Sequence, residues 1–162
     1  MDYNKIFRLD KKLIFILGGN GYIGKEIVKA LLASGGKVIV LDKHKINLPK
    51  NVQFYKINLE NSNSYKKKIS NCFKKFGTPD IFINTSYPKS KDWKFSNSEN
   101  LKIQSLERNI KIHLNSYLWL MNSTAIQMKK NKIKGSIINL SSMYGIISQD
   151  PEIYKKTNKS EN

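Results

Sequence analysis

The chain has a single cysteine, Cys72, so it forms no internal disulfide and no multi-cysteine metal site, and no metal is expected. A lone thiol also fits a reducing compartment. Apolar runs are short. None approaches the roughly 18 residues of a membrane-spanning helix, so no membrane partner is expected. The stretch from Met1 to Lys12 is polar and charged and lacks the apolar centre of a secretion signal. A cytoplasmic location is expected. Arginine is scarce: Arg8 and Arg108 stand alone against a formal charge of +17. A base-reading protein favours arginine forks, whereas the lysines here occur in nearly every segment. The longest basic run, Lys66-Lys67-Lys68, lies among polar residues of a predicted helix. Charge dispersed in this way sets solubility and steering, and no nucleic-acid partner is expected. Disorder is excluded as well, because 40% hydrophobic and 10% aromatic residues can fill a core. A length of 162 residues suits one domain.

Short apolar runs alternate with segments of helical spacing. Leu13–Leu17, Val38–Leu41, Val52–Ile57, Ile81–Ile83 and Ser136–Leu140 read as strands. Tyr22–Ala33 carries Ile23, Ile27, Val28, Leu31 and Leu32 at helical spacing, and Ser34-Gly35-Gly36 stops it. Tyr65–Phe76 puts Ile69, Cys72, Phe73 and Phe76 on one face, before Gly77 and Pro79. Leu106–Lys129 reads as one long amphipathic helix. Strands apolar on both faces imply a parallel sheet covered on both sides. The expectation is an α/β fold: a Rossmann-type doubly wound parallel sheet in the order 3-2-1-4-5, with helices on both faces. Residues 1–150 form this domain and 151–162 a polar tail. Between the fourth strand and the long helix, Asn84–Asn100 is long and carries Tyr87, Trp93 and Phe95. It follows the carboxyl end of a strand, where ligands bind in this architecture.

The most informative segment is Leu17-Gly18-Gly19-Asn20-Gly21-Tyr22-Ile23-Gly24, between the first strand and the first helix. Gly18, Gly21 and Gly24 fall three apart. They suit a tight turn, a close backbone approach to a pyrophosphate, and close helix–strand packing. The helix opening at Asn20 to Ile23 offers free N–H groups and a positive dipole end to phosphates. Asp42 ends the second strand, 18 residues after Gly24. An acid there accepts the ribose hydroxyls of NAD and repels the 2′-phosphate of NADP. Lys43 and Lys45 follow and could compensate that phosphate, so both cofactors stay open, with NAD favoured. The plain alternatives are a glycine-rich turn and an Asp42 that only starts a turn.

From Lys12 to Ser148 the chain resembles the short-chain dehydrogenase/reductase family. Asn58-Leu59 resembles the family's adenine-holding pair, with Asn58 where Asp is usual. Asp80–Ser86 resembles the fourth strand and its Asn-Asn-Ala-Gly turn: Asn84 matches the first Asn, while Thr85, Ser86 and Tyr87 depart from the rest. Gly135–Ser142 resembles the fifth strand and its serine. The resemblance implies cofactor contacts at Asn58, Leu59, Asn84 and Thr85, and Ser142 as the catalytic serine beside the reacting oxygen. It places His113 where a relay asparagine is usual; a histidine there either relays protons near neutral pH or is a packed, hydrogen-bonded helix residue. Together with Ser142-Met143-Tyr144-Gly145 and Pro151-Glu152-Ile153-Tyr154, His113 resembles the branch linked to flagellin-glycan and polysaccharide biosynthesis. The family also needs a tyrosine with a lysine four residues on. Tyr154 lies 12 residues after Ser142, but Asn158 takes the lysine's place, and Lys159 would point about 100° away on a helix. The expectation is therefore a chain truncated before the Tyr-x-x-x-Lys helix, with a fold incomplete at the carboxyl terminus. The full-length form is expected to be a homo-oligomer acting on a small-molecule substrate. The glycine spacing leans instead toward nucleotide-sugar epimerases and dehydratases. The absent pair leaves open a non-catalytic NAD-binding module.

Overall fold

The computed structural model describes residues 6–90, 92, 100–148 and 150. Five parallel strands form one sheet: β1 (Leu13–Leu17), β2 (Lys37–Asp42), β3 (Gln53–Lys56), β4 (Ile81–Asn84) and β5 (Ser136–Asn139). Their order is β3-β2-β1-β4-β5, the expected one. The alternation of side chains along a strand explains why the runs are continuously apolar. On β1, Phe15 and Leu17 point to one face and Ile14 and Ile16 to the other, and each pair joins a separate core.

The first core sets Phe15, Leu17, Ile39, Leu41 and Phe82 of the sheet against Tyr65, Ile69 and Cys72 of α2 (Ser62–Phe76), with Ile112 and Leu120 from the long helix beyond. Phe73 and Phe76 close it with ring contacts to Phe15. The second core sets Ile14, Ile16, Val38, Val40 and Ile83 against Val28 of α1 (Tyr22–Ala33). Each fully buried Ile, Leu or Phe contributes about 1.5–3 kcal/mol, so the two faces together fix the strand order.

Helix ends follow from their caps. α2 begins three residues before the expected Tyr65, because the Asn61 side chain accepts the Ser64 N–H at 2.9 Å. It ends at Gly77, whose φ of +93° favours glycine. The long helix departs from expectation. It runs as α3 (Ile103–Ile110), a wide π turn over Lys111–Asn115, and α4 (Ser116–Lys130). The Ser116 hydroxyl donates to the Ile112 carbonyl, and His113 Nδ1 lies 3.2 Å from the Asn109 carbonyl oxygen. Side chains thus engage backbone oxygens around the turn, and an apolar-periodicity reading does not see them.

Asp80 locks the amino ends of the central strands. Its carboxylate accepts the Leu13 N–H at 2.9 Å and the Lys12 ammonium at 3.1 Å. β5 lies at one edge with Ile138 half exposed.

Candidate dinucleotide site

The strand order reverses between β1 and β4, and a crevice opens beyond the carboxyl ends of the strands there. It encloses about 480 Å³. Of the residues singled out from sequence, Gly18, Asn20, Gly21, Tyr22, Ile23, Asp42, Asn58, Leu59 and Thr85 line it. Gly24, Asn84, His113 and Ser142 do not.

The three glycines divide their work as their spacing suggests. Gly18 has φ +78°, and a Cβ there would lie 2.5 Å from the Ser86 Cα. A Cβ on Gly24 would overlap the Gly18 carbonyl oxygen and sit 2.8 Å from the Gly19 Cα. Both are packing positions. A Cβ on Gly21 would meet only the Gly18 carbonyl oxygen, at 3.2 Å, and otherwise face open space in the crevice. Gly19 was not singled out, yet a Cβ there would lie 2.8 Å from Val40 Cγ2. Its task is to let the loop cross β2.

α1 starts at Gly21 with no side-chain cap and no acid in its first turn. Its first N–H groups therefore meet the crevice with their positive dipole end uncompensated. The buried Asn20 Oδ1 has no hydrogen-bond donor among the described residues. An uncapped helix end, a glycine opening onto it and an unpartnered acceptor fit the phosphates and hydroxyls of a dinucleotide.

Asp42 does more than end a strand. Its carboxylate accepts the Asn20 N–H at 3.1 Å and the Lys43 N–H at 2.7 Å. It thereby ties the glycine loop to β2 and keeps further lone pairs able to accept hydrogen bonds. Asn58 closes a turn by accepting the Glu60 N–H at 3.1 Å. Thr85 acts as a latch. Its hydroxyl is shared between the Leu17 carbonyl at 2.9 Å and the Gly18 carbonyl at 3.1 Å.

Asn84 is buried and serves as a strut behind the wall. Its amide donates to Asn139 Oδ1 at 2.7 Å across the β4–β5 pair, and its Oδ1 accepts the Ser86 N–H and hydroxyl. His113 stands behind the wall too, with its ring centroid 5.3 Å from that of Tyr87, which lines the crevice. Burial pushes the His113 imidazole below its ordinary pKa, against the raising effect of the Asn109 and Pro88 carbonyls. Ser142 is exposed just past β5 and accepts the Tyr144 N–H at 3.2 Å, capping a 3₁₀ turn over Met143–Gly145. Tyr154, Asn158, Trp93 and Phe95 lie outside the described residues.

Among the lining residues that sequence reasoning did not assign to the site are Tyr87, Lys89 and Glu60. The length of the Asn84–Asn100 loop pointed to the first two. Nothing in the spacing pointed to Glu60.

The profile of the family described as short chain dehydrogenase matches residues 12–152. The chain belongs to that family, one of oxidoreductases built on an NAD(P)-binding Rossmann fold. It is 28% identical to post-translational flagellin modification protein A of Campylobacter coli, over 92% of this chain and 62% of that one. It is 27% identical to the L-fucose dehydrogenase of Bos taurus, over 88% of this chain and 53% of that one. A short chain dehydrogenase of Leptospira borgpetersenii, solved with bound NAD+, superposes with a TM-score of 0.81 at 24% identity, over 99% of this chain and 60% of that one. The chain thus spans between half and two thirds of the length of these relatives. No helix among the described residues is long and apolar enough to cross a membrane.

Proposed function

We propose that this chain is the cofactor-binding part of an NAD-preferring oxidoreductase that moves hydride to or from a carbonyl or hydroxyl of a small, sugar-derived substrate. One observation carries the reading: the uncapped α1 end, Gly21 and the Asp42 carboxylate all face one crevice at the strand-order reversal. The nicotinamide supplies the hydride chemistry. The chain's own residues bind and orient. The first turn of α1 holds the pyrophosphate, Asp42 accepts the adenosine ribose hydroxyls and disfavours a 2′-phosphate, and Asn58 and Leu59 flank the adenine. Ser142 serves the substrate oxygen, for which it exchanges its turn-capping contact. His113 relays a proton on the far side of Tyr87. The sugar-derived substrate is supported by the L-fucose dehydrogenase relative, and the flagellin-modification relative supports the same branch.

The protein acts in the cytoplasm as a homo-oligomer. Ile110, Leu114, Leu118 and Trp119 are exposed along the long helix and suit a helix-to-helix contact between copies. Fluorescence titration of the chain with NADH tests the reading. Saturable binding that is abolished in Gly21→Val supports it. A chain that never binds NADH refutes it. A second reading, a non-catalytic NAD-binding module, is favoured by Asn158 standing four residues after Tyr154.

A further inference from the structure

The adenosine end of the crevice holds a pair of opposite charges that the dinucleotide reading does not use. Lys43 directly follows β2 and Glu60 lies four residues past the end of β3, so both extend beyond the carboxyl ends of adjacent strands. Their side chains meet with Lys43 Nζ 2.9 Å from Glu60 Oε1, and both residues line the crevice. Lys45, the other cation after β2, does not line it. Lys43 is therefore the cation placed to offset Asp42 at this end, and Glu60 already occupies it.

We infer that Glu60 is a specificity-determining residue, which holds the Lys43 ammonium in an ion pair and so withholds it from a ribose 2′-phosphate. The inference rests on the dinucleotide reading. Its physical basis is a competition. A phosphate beside Asp42 gains from a nearby ammonium only if that ammonium leaves the carboxylate already bound to it. Glu60 also adds its own negative charge to that of Asp42. The fixed turn around Asn58 sets where Glu60 sits, because the Asn58 side chain accepts the Glu60 N–H at 3.1 Å. Two acids and one captured lysine thus favour NAD. A free lysine beside Asp42 alone would leave the choice close to even.

The ion pair is half exposed, so screening keeps its effect moderate. Glu60→Gln is expected to raise affinity for NADPH relative to NADH by about three- to tenfold at low salt. The experiment measures both affinities by fluorescence titration for the wild-type chain, Glu60→Gln, Lys43→Met and the double variant. If Glu60 acts by holding Lys43, its substitution shifts the ratio in the wild-type background and shifts it much less in Lys43→Met. An equal shift in both backgrounds shows a bare charge effect and overturns the proposed hold. An unchanged ratio in Glu60→Gln, with NADH still bound, overturns the inference and leaves the dinucleotide reading standing. A wild-type chain that binds neither nucleotide overturns both.

Discussion

The neighbouring glycines at 21 and 24 separate binding from folding, though both lie in one motif. Gly21 opens onto the crevice, so a valine there fills the space a pyrophosphate needs. Its folding cost is that of a poor helix cap, about 1 kcal/mol. Gly21→Val is therefore expected to melt within several degrees of the wild type and to show no NADH binding in titration. Gly24→Ala places a Cβ against backbone at the Gly18 carbonyl and the Gly19 Cα. Backbone cannot rotate aside, so a loss of about 2–3 kcal/mol in urea unfolding is expected. A Gly24→Ala chain as stable as the wild type would show that the loop is looser than its packing implies. Asp42 joins both effects in one side chain. Asp42→Ala removes a ribose acceptor and also releases the Asn20 N–H. NADH affinity should fall and NADPH should gain relative to it, together with a drop in melting temperature. A pure turn residue would give the temperature drop without the change in ratio.

The long helix shows where elements were legible and where they were not. Its apolar spacing from Leu106 to Lys129 was readable, since Ile112 and Leu120 face the core as the periodicity requires. The strand runs, the order of the sheet and the glycine loop were readable for the same reason: apolar burial and backbone access leave direct marks on residue type. The π turn was not readable, because it carries polar contacts with no period, of His113 with the Asn109 carbonyl and of Ser116 with the Ile112 carbonyl. The Lys43–Glu60 pair was hidden too, since it joins residues 17 apart through the alignment of two strands. The π turn has a measurable consequence. It buries His113 beside Tyr87 and Tyr117, and burial lowers the imidazole's pKa in the folded chain. The unfolded chain then binds a proton more readily, from about pH 6.5 downward. Stability due to neutral His113 is present above that value and is lost as pH falls through the folded pKa. Urea unfolding between pH 8 and pH 5 should show this decline, and His113→Gln should flatten it. An unchanged slope in His113→Gln would assign the decline to other groups.

At the scale of the whole molecule, Cys72 reports on the integrity of the double-faced core. Its thiol is fully buried against the sheet, and burial pushes its pKa to about 12. The folded chain should resist thiol reagents at pH 8, with labelling at the rate of global opening. Fast labelling in native buffer would mean that α2 detaches locally. The last expectation concerns turnover. Reduction of a carbonyl needs a group that protonates the developing alkoxide at neutral pH. An unassisted tyrosine near pKa 10 is a poor source, and the family's remedy is a lysine one helical turn on. Tyr154 has Asn158 at that position. Tyr87 has Lys91 four residues on, but the backbone from Thr85 to Ser90 forms no helix. His113, whose pKa burial lowers, is also mostly neutral and supplies few protons at pH 7. The 162-residue chain should therefore bind NADH and not oxidise it in the presence of aldoses, ketoses or simple ketones. The assay follows NADH absorbance over hours at high protein concentration, beside Tyr87→Phe and Tyr154→Phe. Steady turnover abolished by either substitution would assign that phenol the proton and overturn the expectation. Binding without turnover in all three chains would fit a cofactor cradle whose proton-donating pair is not among these residues.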